Sequence, residues 1–174
     1  MGKENRMHKR AWLTASILIL LAAGVALFAL LNSQGLHSSP DDAVAVTAND
    51  QTAIFNIDDL KALPKTTFSA DLNTNGQDPV EKTFGGVPLI DVLNRMGVDI
   101  NGASQIVFKA ADGYTVVTSP EEVKEPGNVY VVYERDGMPS GTMAQGGTGP
   151  IEIVIKNDAF SQRWCKYLRE IIIE

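Results

Sequence analysis

The sequence predicts an α+β domain, mostly β, preceded by one N-terminal transmembrane helix. Three observations predict it. Residues 11–31 (AWLTASILILLAAGVALFALL) form a run of 21 residues without a charge. As a helix rising about 1.5 Å per residue, such a run spans a hydrocarbon core of about 30 Å. After residue 51, short runs of alternating apolar and polar residues recur between Gly-, Asn-, Asp- and Pro-containing turns, which is strand patterning. One stretch breaks that pattern: Leu89, Val92, Leu93 and Met96 recur at helical spacing.

In chain order, residues 1–10 are a basic tail, with Lys3, Arg6, Lys9 and Arg10 opposed only by Glu4. Positive residues stay on the cytoplasmic side, so the chain beyond residue 31 is expected outside. The apolar run exceeds the about 7–15 residues usual for a cleaved signal, and no small-x-small site follows closely. An uncleaved signal anchor is therefore the first reading. Secretion after cleavage is the alternative. The expected address is a bacterial-type cell membrane, single-pass, with the C-terminal domain extracytoplasmic (periplasmic or extracellular). Residues 32–51 are polar and without period, as in a flexible linker. The compact domain then spans 52–174, enough chain for a core without disulfide staples. The tail carries +3, so the total of −6 leaves −9 for the remainder. An acidic exported domain is a poor partner for nucleic acid.

Within the domain, 53–57 alternates as a strand. Asp58 and Asp59 mark a short helix start whose carboxylates take orphan N–H groups, and Pro64 closes it. Residues 66–72 and 80–84 read as strands around a turn-rich 73–79. Gly85, Gly86, Val87 and Pro88 read as a tight turn, with Pro88 at the first position of the helix and Gly97 as its left-handed cap. Strands follow over 106–110 and 114–118, joined by Asp112-Gly113. Ser119 and Pro120 open a capped helical turn. Residues 128–135 and 151–155 are strands, and 164–173 is an amphipathic segment ending in strand.

The stretch 83–118 carries F-x-G-V-P-L-x-D-x-L, then G-V, then A-x-D-G-Y. Downstream come V-Y-E-R-D-G-M-P, G-G-x-G-P-I-x-I-V-I and R-W-x-K-x-L-x-x-I. In this order the chain resembles the sulfite-oxidase-type molybdopterin-binding domain over about 52–174. The resemblance implies that fold, a molybdopterin cofactor and oxidoreductase chemistry. In catalytic members one protein thiolate completes the molybdenum ligand set, at a place corresponding to 69–73. No cysteine occurs there in this chain. The family's P-G-x-Y-G-x-K run is replaced by KNDAFSQ at 156–162, while Arg163 matches a basic position before the Trp.

Other chemistry is narrowed by what is missing. The only histidines, His8 and His37, precede the domain, which removes Ser-His-Asp and Cys-His catalysis and histidine-ligated zinc within it. GTMAQGGT at 141–148 approaches a phosphate loop, but Gly147 holds the lysine position and a strand follows. Asp71, Asn73, Asn75 and Gly76 fit the first half of a calcium loop, yet the twelfth position is Lys82 and Glu81 is one residue early. Cys165 reads as a half-buried strand residue.

The leading expectation is a cofactor- or small-ligand-binding accessory module without the usual molybdenum chemistry. Its ligand would be a pterin or small anion held by Asp112, Tyr114, Gly146, Gly147 and Arg163. No catalytic or metal-ligating residue is assigned. An active molybdopterin-dependent oxidoreductase with an unusual ligand set and a calcium-stabilised surface domain are the alternatives. The membrane through 11–31 and an envelope redox partner are the expected associations.

Overall fold

The computed structural model describes residues 12, 19–25, 42–74 and 76–174. The chain divides into two units, Met1–Ser38 and Ser39–Glu174. In the first, Trp12 and residues 19–25 are helical and exposed. The basic tail and most of the expected anchor lie outside the described residues. Among the described residues no helix is long and apolar enough to cross a membrane.

The second unit is mostly β. Its strands are β1 (Ala43–Ala48), β2 (Gln51–Asn56), β3 (Thr66–Leu72), β4 (Val80–Pro88), β5 (Ile106–Ala110), β6 (Thr115–Thr118), β7 (Val129–Arg135), β8 (Met138–Pro139), β9 (Glu152–Ile155) and β10 (Leu168–Ile173). One sheet has the order β2-β1-β10-β5-β6, and the other runs β3-β4-β7-β8 with β9 also paired to β7. Three short helices, α1 (Ile57–Lys61), α2 (Leu89–Arg95) and α3 (Pro120–Lys124), punctuate the strands.

The linker expected to run to residue 51 ends earlier. Residues 43–48 form β1, parallel to the last strand and antiparallel to β2, and Val44 and Val46 are buried. The two valines alternate inward, and β10, the parallel partner that places β1 inside the sheet, is more than a hundred residues away in sequence. Local reading therefore sees only a polar stretch.

A second correction concerns the glycine pair before α2. Gly85 and Gly86 do not turn the chain; they continue β4 into its pairing with β7, with a register shift between them. A Cβ on Gly86 would meet the Val131 carbonyl oxygen at 2.4 Å, so the glycine lets two backbones approach. Helix α2 ends as its sequence requires. Gly97 is left-handed at φ 73°, Val98 N–H donates to Leu93 O at 2.9 Å and Gly97 N–H to Asn94 O at 3.1 Å. This pair of bonds is a Schellman cap. At α1 the cap is Asn56, one position inside the expected strand. Its Oδ1 accepts the N–H groups of Asp58 and Asp59, and Asp59 returns the bond to the Asn56 N–H.

The core is one cluster of buried apolar side chains. Phe84 packs edge-on against Trp164 at 5.4 Å, and Phe68 stacks on Tyr130 at 4.0 Å. Stacking of this kind ties the β3-β4 hairpin to β7 and to the segment after β9.

Candidate functional site

The residues singled out by sequence are gathered into one network, and its polar groups are used inside the protein. The Asp112-Gly113 turn forms as expected, with Asp112 Oδ1 accepting the Tyr114 N–H at 3.0 Å. The Tyr114 hydroxyl donates to the Gln162 carbonyl, next to Arg163. Arg163 is held from both sides. Its Nε donates to Asp158 Oδ2 at 2.9 Å and its Nη2 to Asp158 Oδ1. Its Nη1 and Nη2 reach Glu122 at 3.2 and 2.7 Å. The bond to Arg163 lowers the Glu122 carboxyl to about 2, and the two carboxylates push the guanidinium further up.

The glycine loop is closed on itself. Gly146 N–H donates to Met143 O and Gly147 N–H to Thr142 O, at 3.0 and 2.9 Å. The Gly147 carbonyl accepts the Tyr167 hydroxyl at 2.8 Å. Backbone bonds from Tyr167 N–H to Thr148 O and from Ala111 N–H to Tyr167 O join this loop to the Asp112 turn. The N–H groups that would cradle an anion at Gly146 and Gly147 are already committed.

Glu152, on β9, is fully buried and paired with Arg135 on β7, Nη2 to Oε2 at 3.1 Å. Burial raises the Glu152 carboxyl, and the Arg135 charge works against that rise. Arg135 also lies 5.3 Å from the centroid of Phe84. Cys165 is fully buried rather than half-buried. It bridges Ile153 through backbone bonds of 2.9 and 3.0 Å. Burial, with Asp112 and Glu152 nearby, pushes its thiol up to about 12.

A different place is open. A cleft of about 330 Å³ lies between the end of the β3-β4 hairpin and the segment after β9. Ser69, Asp71, Asn73 and Glu81 line one wall, Lys156 and Asp158 the other. Asn73 fastens the walls together: its amide donates to Ala159 O at 2.7 Å, and its carbonyl accepts from Ser161. Asp71 and Glu81 are directly opposed across the hairpin. Among the described residues, Asp71, Glu81 and Lys156 have no side-chain partner. Asp158 is taken by Arg163.

Sequence reasoning named the pieces of this cleft without joining them. Its walls draw Ser69, Ala70, Asp71 and Asn73 from 69–73 and Lys156, Asp158 and Ala159 from 156–162, the two segments where the resemblance lapses. Of the calcium-loop candidates, Asp71 lies in the cleft, Asn73 is spent on Ala159, Gly76 is left-handed, and Asn75 lies outside the described residues. Among the described residues no three His, Cys, Asp or Glu side chains gather to hold a metal.

The model of a family described as "Oxidoreductase molybdopterin binding domain" matches residues 43–174. No curated protein matches the chain. Among solved structures, the sulfane dehydrogenase SoxCD from Paracoccus pantotrophus superposes with a TM-score of 0.63 at 19% identity, over 79% of this chain. The match spans 39% of that chain, so the likeness is one of fold.

Proposed function

The chain belongs to the oxidoreductase molybdopterin binding domain family, and from that premise we propose that it is a small-ligand-binding accessory module rather than a molybdenum oxidoreductase. The donor set of the cleft carries this reading. Molybdopterin brings a phosphate and a metal whose protein ligand in catalytic relatives is a thiolate. The cleft offers no sulfur, two unpaired carboxylates and one unpaired lysine. Arg163, the basic residue the family pattern keeps, is already flanked by two carboxylates. Cys165 is outside the cleft, and a thiol raised to about 12 stays protonated at neutral pH. These residues do not fit the group.

The proposal extends to location. The uncharged run at 11–31 behind a basic tail supports a single membrane anchor with the domain on the extracytoplasmic side. An envelope protein that uses the bound ligand is the partner this placement suits.

The test is molybdenum and pterin analysis of the full-length chain, expressed in a host that makes molybdopterin and purified without strong chelator. Both are expected far below one per chain. One molybdenum with one pterin per chain would overturn the reading and restore the oxidoreductase. Pterin without metal would overturn the misfit and make the module a cofactor carrier.

A further inference from the structure

The geometry points to a zwitterion as the ligand of the cleft: a small molecule with an ammonium group for Asp71 and Glu81 and an acidic group for Lys156. This inference rests on the reading of the cleft as a ligand site and names the class of molecule it takes.

The hairpin wall sets two carboxylates in direct register, Asp71 opposite Glu81. Like charges so placed repel; both side chains are solvent-exposed, and among the described residues neither has an ion-pair partner. On the facing wall Lys156 also stands without a carboxylate partner, although Asp71 and Glu81 line the same cleft. Opposite charges thus share one space of about 330 Å³ without touching, a volume at the lower end for small-molecule sites. A molecule with both charges satisfies both walls at once.

Other ligand classes satisfy less. A lone dication finds no group of three His, Cys, Asp or Glu side chains among the described residues. A phosphate dianion would gain one lysine and face two carboxylates. An apolar ligand would find only Ala70, Pro79 and Ala159. The Ser69 hydroxyl adds a neutral hydrogen-bonding group to the hairpin wall.

The experiment is calorimetric titration of the full-length chain in detergent with 4-aminobutyrate and 6-aminohexanoate, and with butylamine and butyrate as single-charge controls. At least one amino acid is expected to bind saturably, with each control weaker by about tenfold or more. Asp71→Asn should reduce amino-acid affinity towards that of butyrate, and Lys156→Met towards that of butylamine. Butylamine binding as tightly as the amino acids, or affinity unchanged in both variants, would overturn the zwitterion. Molybdenum and pterin are measured on the same preparation. Pterin-free protein that binds none of the probes overturns this inference alone. Protein loaded with molybdenum and pterin overturns the accessory reading first.

Discussion

Around Arg163 the polar groups that the sequence offers to a ligand are bonded within the protein, whereas Asp71, Glu81 and Lys156 in the neighbouring cleft are left unpaired. The first region has a Tyr, two glycines and an Arg that look like a binding site; the fold uses Tyr114, Gly147 and Arg163 to join segments and closes Gly146 into its own turn. The second has ordinary surface residues, and the fold leaves them in conflict. A local conflict kept in an otherwise consistent fold marks a place where function opposes stability. Substitutions should therefore destabilise in the first region, and neutralising a carboxylate should stabilise in the second.

The largest effect is expected at the buried pair of Arg135 and Glu152. Arg135→Met leaves the fully buried Glu152 carboxylate without its bonded cation. Equilibrium urea unfolding should show a loss of about 3–5 kcal/mol. Next comes Gly147→Ala, whose Cβ would meet the Ser140 carbonyl oxygen at 2.3 Å. The loop must shift, for a loss of about 1–3 kcal/mol in the same assay. Unchanged stability in this variant would remove the loop from the bonded network.

Arg163→Gln is expected to cost about 1 kcal/mol, because its side chain is 41% exposed and solvent screens the pairs. Its pH dependence sharpens the contrast. Glu122 falls from 4.5 unfolded to about 2 in the fold, mainly through its bond to Arg163. A lowered folded value stabilises above pH 4.5, and that contribution is lost as the pH falls towards about 2. Wild type should lose stability across this window more steeply than Arg163→Gln, as thermal melts at stepped pH would show. The smallest effect has the opposite sign. Glu81→Gln relieves the repulsion with Asp71 and should raise stability by about 0.2–1 kcal/mol.

The sequence discloses what depends on neighbours in the chain. Gly97 after an apolar helical stripe announces the α2 cap, and Asp112-Gly113 announces a turn, because both are decided within a few residues. Strand β1 is hidden because its parallel partner is β10. Asn56 is hidden because a residue can alternate with a strand and still cap the helix that follows. Gly85 and Gly86 illustrate a further ambiguity: a glycine that bends the chain and one that admits a second backbone look alike in sequence. The same limit applies to the site. Gly146, Gly147 and Arg163 have the right chemistry for an anion, but their internal partners are set by the fold. The cleft needs residues 71, 81 and 156 together, and the calcium-loop pattern and the two lapses in the family resemblance pointed only to its separate parts.

The measurement that tests this account most directly is a paired urea unfolding of the full-length chain at neutral pH, comparing Asp71→Asn/Glu81→Gln with Arg163→Gln. The account predicts midpoints displaced in opposite directions from wild type, upward for the cleft pair and downward for Arg163. Displacement of both midpoints downward would show that the cleft carboxylates also hold the fold together, and would contradict the division between the two regions.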